Sequence, residues 1–232
     1  GGLVAALGTD AQKAELLPPV MDGSLQLACA YAESTSRFNL ASVTTSAESD
    51  ADSFVINGSK IAVLNGSSAD KLLVVARESG ATADRSGISV FLVDSESEGV
   101  STQAYTNVDG KKAARISFGS VAVPVAQRLG EAGGALAALQ AVIDRAIVAT
   151  SAEAVGALEA LLQKTVEYSK TRKQFGTAIG TFQALQHRMA DMFIECQLAR
   201  SIVIMAAMKL DSSESELEKT KSVSAAKSRV GR

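Results

Sequence analysis

The chain has 232 residues, of which 47% are apolar and 21% charged, a balance ordinary for a globular protein with room for two modest domains or one large one. Its formal net charge of -2 leaves no basic footprint for nucleic acid, and no apolar run reaches the roughly 20 residues that span a bilayer. His187 is the single histidine, so no multi-histidine metal site fits within one chain, and no metal is expected.

The start, Gly1-Gly2-Leu3-Val4, has neither an initiator Met nor a basic region, so it reads as a chain entered partway and not as a signal peptide. Residues 10–21 read as a short helix. Short β-like runs follow at 27–31, 54–56, 60–64, 71–76, 88–93, 100–105 and 114–118, with Gly, Asn, Asp and Ser between them. Asn57-Gly58 separates two of these runs and predicts a tight hairpin turn there. Repeated strands at this spacing predict an antiparallel barrel or sandwich.

Near Val125 the period changes from two to that of a helix. Residues 131–172 read as one long helix, broken by Gly176 and Gly180. A second helix follows, with Thr181 as its expected N-cap. Its apolar seam runs Phe182, Leu185, Met189, Met192, Cys196, Ala199, Val203, Ala206, Leu210 in steps of three and four. A polar break at 211–215 precedes a third helix over 216–232. Three long helices with short links predict an antiparallel bundle, and the bare seam predicts a missing fourth partner. The fold class is therefore α+β and multidomain: a β-barrel or sandwich, then an incomplete antiparallel helical bundle. The expected segments are 1–24, 25–125 and 126–232. Cys29 and Cys196 are far apart and set in apolar surroundings, so they read as buried free thiols in a reducing cytoplasm.

Particular strings sit within this order. Residues 168–183 read YSKTRKQFGTAIGTFQ and continue as ALQHRMADM. This resembles the RKQFG…IG…FQ…QH…ADM signature of the acyl-CoA dehydrogenase family. Residues 27–42, LACAYAESTSRFNLAS, stand where that family has a strand followed by T-E-P-x-A-G-S-D. Gly58-Ser59-Lys60 with Asn65-Gly66 resembles the family's G-x-K-x-W-I-T-N-G hairpin, and residues 87–93 its G-I-S-x-F-L-V strand. Within the family, SRFNLASVTT and VDGKKAARISF look most similar to the small subunit of pimeloyl-CoA dehydrogenase-type heteromers.

The resemblance implies that 1–24 ends an N-terminal helical domain, 25–125 is the middle β-domain and 126–232 most of the C-terminal helical domain. It implies FAD as cofactor. A carboxylate takes the α-proton of an acyl-CoA thioester and the β-hydride goes to the flavin, leaving a trans-2-enoyl-CoA, as in fatty-acid β-oxidation. Electrons then pass to an electron-transfer flavoprotein. A homo- or hetero-oligomer, a tetramer in full-length form, is implied as well.

It also implies site residues. Arg172, Gln174, Phe175 and Gln183 match positions that contact FAD, and an Arg fork suits a pyrophosphate. Read from the residues alone, Arg172 can equally cap its helix and Phe175 can be core. Tyr31, Ala32 and Glu33 match the strand whose backbone meets the flavin ring. Val63 and Leu64 match the second flavin-facing strand, or form simple apolar strand. Ala32 and Leu64 replace family threonines, and Ala62 its tryptophan. Arg37 and Phe38 replace a Gly-Ser pair lining the acyl-CoA entrance, though such an Arg is often a solvated charge. Asp144 and Arg145 sit where a minority of the family carries its catalytic glutamate before an arginine. Asp144 is the one in-chain candidate base, against the reading of a surface charge. His187 reads as a packing or surface residue.

Three functions compete. The first is FAD-dependent acyl-CoA dehydrogenation. The second is a non-catalytic partner subunit of a heteromeric dehydrogenase, which the changes at Ala62 and Leu64 favour. The third is a cofactor-free helical interaction module, supported by the seam.

Overall fold

The computed structural model describes residues 1–232. Two helices come first, α1 (Gly2–Leu7) and α2 (Asp10–Asp22). Thr9 and Gln12 form a capping box. The Thr9 hydroxyl accepts from Gln12 N at 3.2 Å, and Gln12 Oε1 accepts from Thr9 N at 2.9 Å, which satisfies two helix-end amides. Gln12 Nε2 also donates to the carbonyls of Ala126 and Arg128.

Eight strands follow: β1 (Leu27–Ala30), β2 (Ser46–Asp50), β3 (Ser53–Leu64), β4 (Lys71–Arg77), β5 (Ile88–Asp94), β6 (Val100–Thr106), β7 (Lys112–Pro124) and β8 (Arg128–Leu129). Their order is β6-β7-β3-β2-β4-β5-β8, with β1 parallel to β4. The other long pairings, β3 with β7, β4 with β5 and β6 with β7, are antiparallel. The path ends on β6 and β8 without closing, so the barrel alternative is not realised. β4 and β5 are buried on almost every residue, whereas β6 is exposed on nearly all. Leu72, Val74, Phe91 and Ile116 anchor one core with Phe54 and Ile56. Burying such side chains contributes about 1.5–3 kcal/mol each.

The expected hairpin at Asn57-Gly58 is absent. Residues 54–56 and 60–64 belong to one strand, β3, which pairs with β7 along its length and shifts register after Ile56 and again after Lys60. Gly58 lies at φ 146°, and a Cβ there would stand 2.6 Å from Thr45 Oγ1. A bulge, not a turn, uses this glycine. Asn57 is occupied elsewhere, since its Oδ1 accepts from Ser120 N at 2.8 Å. The real turn, between β2 and β3, uses Ala51 at φ 48°.

Beyond the sheet come α3 (Leu136–Thr171), the hairpin strands β9 (Lys173–Gln174) and β10 (Thr177–Ala178), α4 (Gln183–Leu210) and α5 (Glu216–Val230). The first long helix thus begins at Leu136, after a bend, turns and an isolated bridge from Gly134 to Ile88, and not at Glu131. The chain forms two compact units, Gly1–Val142 and Ile143–Arg232. In the second, Val148 and Val155 of α3 pack with Ala199, Val203 and Ala206 of α4 and Val223 and Ala226 of α5. The predicted seam is therefore covered from within the chain at Cys196, Ala199, Val203 and Ala206. A different row on α4 is bare: Phe193, Ile194, Leu198, Ile204, Met205 and Met208 are exposed. Thr181 does not cap α4. Phe182 occupies that position without a side-chain bond, and the Thr181 hydroxyl donates to Ala178 O at 2.8 Å. Cys29 and Cys196 are both free. No helix is long and apolar enough to cross a membrane.

Candidate functional site

In the first unit, the residues singled out from sequence gather where the chain leaves β1 beside the end of β3. Ile61 N donates to Ala32 O at 2.8 Å, which stitches residues 31–33 to β3. Ala62 then takes φ 51°, where the register shifts by a residue. Val63 turns into the core at 1% exposure and its carbonyl accepts from Gly66 N at 3.1 Å, while Leu64 is 60% exposed. Ala32, Ala62 and Leu64 bring no polar side chain to this edge. What it offers a flat ring is backbone and apolar surface.

The side chain of Glu33 is not presented outward. It is buried, with Oε1 at 2.7 Å from Lys60 Nζ, and it accepts from Thr45 N at 3.0 Å, from Thr44 N at 2.8 Å and from the Thr44 hydroxyl. Lys60 is fully buried too, and also donates to Tyr31 O at 3.5 Å. Burial pushes the Glu33 carboxyl up, but the charge and hydrogen bond of Lys60, with the bonds from Thr44, outweigh it and hold the group at about 2. Burial pulls Lys60 down from its ordinary value, against the opposing pull of Glu33. Burial raises the thiol of Cys29 to about 11, despite Lys60 nearby, so this cysteine stays protonated near neutrality. The loop after Glu33 carries Arg37, at φ 48°, and Phe38, 92% exposed.

In the second unit, α3 ends at Thr171 and hands the chain to a two-residue turn. Phe175 at φ 53° and Gly176 at φ 80° form that turn between Gln174 and Thr177. Two successive positive φ values are what a tight hairpin of this hand requires, and glycine meets the second without strain. The turn lifts Phe175 to 93% exposure, in edge contact with Phe182 at 6.2 Å. Phe175 is therefore not core. Arg172, Lys173, Gln174 and Gln183 are all exposed around it. Gly180 permits the close seating of this hairpin, because a Cβ there would lie 3.0 Å from Ser169 O. Two cations and two amide side chains around an exposed aromatic ring are a donor set suited to a diphosphate joined to flat ring systems.

Asp144 lies near the start of α3. It is 4% exposed, and its Oδ2 accepts from Thr220 Oγ1 of α5 at 2.8 Å. It is thus neither a solvated surface charge nor a carboxylate lining an open pocket. Arg145 and His187 are exposed on their helices. No group of three or more His, Cys, Asp or Glu is placed to hold a metal ion.

Sequence reasoning missed the network behind the first group: Lys60, Thr44, Thr45 and Arg77. A signal for Lys60 existed. Counting by two from Phe54 and Ile56 reaches position 60 on the same inward face.

Comparison with known proteins now bears on this geometry. Residues 28–121 match the acyl-CoA dehydrogenase middle domain, and residues 132–232 match the acyl-CoA dehydrogenase C-terminal domain. Acyl-CoA dehydrogenase FadE12 of Mycobacterium tuberculosis is 32% identical over 216 residues, 91% of this chain and 55% of that protein. The 3-(aryl)acrylate reductase of Clostridium sporogenes is 30% identical over 211 residues, 90% of this chain and 56% of that protein. The structure of butyryl-CoA dehydrogenase from Megasphaera elsdenii superposes with a TM-score of 0.88 at 28% identity, over 98% of this chain and 60% of that one. The chain thus spans little more than half the length of the curated relatives it matches. With both domain matches falling in family order on the sheet and on the helices that carry the exposed hairpin, the chain belongs to the acyl-CoA dehydrogenase family.

Proposed function

We propose that this chain forms part of a protein that oxidises an acyl-CoA thioester to its trans-2-enoyl-CoA with FAD, and passes the electrons to an electron-transfer flavoprotein. When bound, the flavin supplies the hydride acceptor. The observation that carries this reading is the exposed hairpin, where Arg172, Gln174, Phe175 and Gln183 all present their side chains to solvent. In this reading Arg172 forks onto the pyrophosphate, Gln174 and Gln183 hydrogen-bond it or the adjoining ribityl chain, and Phe175 packs on a ring. The backbone of Tyr31, Ala32 and Glu33 and that of Val63 and Leu64 face the isoalloxazine, and Arg37, Phe38 and Arg145 belong to the acyl-CoA side. Assembly as a homo- or hetero-oligomer in the cytoplasm goes with this reading, and the bare row on α4 supports it. Substrate preference follows the acyl side of that site.

A second reading is a partner subunit that completes a neighbour's flavin site through the hairpin without catalysing itself, as in pimeloyl-CoA dehydrogenase-type heteromers. The apolar edge at Ala32, Ala62 and Leu64 favours it. The family match over 132–232 argues against a cofactor-free helical module. The visible spectrum of the purified protein, alone and with a co-expressed partner subunit, decides among them. Flavin bands in the protein alone support the first reading, and flavin only in the complex supports the second. No flavin in either sinks both.

A further inference from the structure

The largest fully buried side chain in this protein is that of a lysine, Lys60. It meets Glu33, and that carboxylate closes a loop on itself. Glu33 begins the loop, where its own N–H donates to Ser36 Oγ at 3.1 Å and its carbonyl accepts from Ser36 Oγ at 2.9 Å. Its side chain reaches the loop's far end, Thr44 and Thr45. From the other flank the buried Arg77 donates to Ala41 O at 2.8 Å and Val43 O at 3.1 Å, and to four carbonyls between Ser79 and Ser86. A buried ion pair is a weak source of stability, because apolar residues of the same volume serve as well or better. What this pair does supply is position. Lys60 holds Tyr31 O, Ile61 holds Ala32 O, and the closed loop presents Arg37 and Phe38 at its exposed turn.

We propose that Glu33 and Lys60 are positioning residues, whose buried side chains touch neither cofactor nor substrate but set the Tyr31–Ala32 backbone and the Arg37–Phe38 turn against which FAD and acyl-CoA bind. The inference rests on the proposed function. It separates cleanly from a purely structural role, because the two roles respond differently when both charges are removed together.

The experiment titrates FAD into the full chain and into Glu33→Gln, Lys60→Met and the double variant, following flavin fluorescence, visible circular dichroism and thermal melting. Each single variant is expected to lower Tm and raise the FAD Kd about tenfold or more, through a displacement of the order of an ångström. The double variant regains most of the Tm, since no buried charge is left unpaired. Its Kd stays about tenfold raised and its flavin dichroism stays displaced, because Met has no donor for Tyr31 O. A double variant with the unmodified Kd and dichroism overturns the inference and leaves the proposed function standing. An unmodified chain with no FAD affinity overturns both. If the double variant does not fold, Thr44→Val removes one donor to the carboxylate and keeps the pair. An unchanged Kd there overturns the inference, and a rise of about threefold or more at constant Tm supports it.

Discussion

The two compact units bury polar groups in opposite ways. The sheet unit takes charges inside and answers each with partners: Glu33 with Lys60 and the Thr44–Thr45 segment, Arg77 with six backbone carbonyls. The helical unit packs small and branched residues, Ala199, Ala206, Val203 and Val223, and leaves most of its charges outside. Loops cause the difference. Segments 33–45 and 78–87 have no regular ladder for their carbonyls and amides, and buried side chains must satisfy them instead. Helices satisfy their own backbone, so α3, α4 and α5 need only fit. The contrast teaches where each unit breaks: the sheet unit by losing one partner of a pair, the helical unit by a change of volume.

The largest effect is expected at Lys60. Lys60→Ala strands the Glu33 carboxylate in a buried site, which costs about 3–5 kcal/mol in denaturant unfolding. A loss comparable to a surface substitution would break the comparison at its root. The pair also predicts an acid signature. The folded-state value for Glu33, about 2, lies below its ordinary 4.5. Its contribution is therefore fully present above about pH 4.5 and is lost as pH falls from there toward 2. Stability measured over that window should decline less steeply in Glu33→Gln than in the unmodified chain. Equal slopes would show that Glu33 is not the group that titrates.

The helical counterpart is a volume change. Ala206 is fully buried between α4 and its neighbours, so Ala206→Leu should cost about 1–3 kcal/mol through overpacking. On the surface of the same unit, Lys221→Ala dissolves an exposed pair with Glu218 and should leave Tm unchanged. Arg172→Ala should likewise leave Tm unchanged, yet lower the flavin content of the purified protein, because in the proposed function its exposed guanidinium serves the ligand and not the fold. An unchanged flavin content would count against the hairpin as a cofactor site.

How much of this was legible depends on whether the signal was local. β4 and β5 read plainly, since runs such as LLVVA and VFLV are buried on both faces and turn residues bound them. The long helices read plainly from their period. Asn57-Gly58 misled because a glycine that relieves a close approach to Thr45 carries the same local signature as a hairpin glycine. What separates the two is the partner strand, and β7 lies more than fifty residues away. The seam on α4 was found correctly as a face but wrongly as a bare one over Ala199, Val203 and Ala206, since their cover comes from α3 and α5. Arg77 was illegible: a charged residue at a strand end is usually solvated, and its six acceptors are carbonyls scattered over residues 41–86. The hairpin 173–178 was legible through its string, though not the exposure of Phe175.

A smaller effect than that at Lys60 sharpens the comparison at its closest point, because each unit holds a buried carboxylate. Glu33 is locked by a cation and three further donors, whereas Asp144 accepts from the Thr220 hydroxyl across α3 and α5. Asp144→Asn keeps the shape and keeps an oxygen for Thr220, so it should cost about 1 kcal/mol, far less than losing Lys60. The same variant tests the chemistry. A base for the α-proton must reach the substrate, and Asp144 is turned into the bundle toward Thr220 at 4% exposure. We therefore expect this chain, mixed anaerobically with FAD and a panel of acyl-CoAs including dicarboxylic ones, to bleach the oxidised flavin band no faster than a buffer control. We expect Asp144→Asn to behave identically. Bleaching by the unmodified chain that Asp144→Asn abolishes would make Asp144 the base. It would also mean that the helical unit opens around this residue in solution, and that its interior is less settled than the close packing of Val148, Ala206 and Val223 implies.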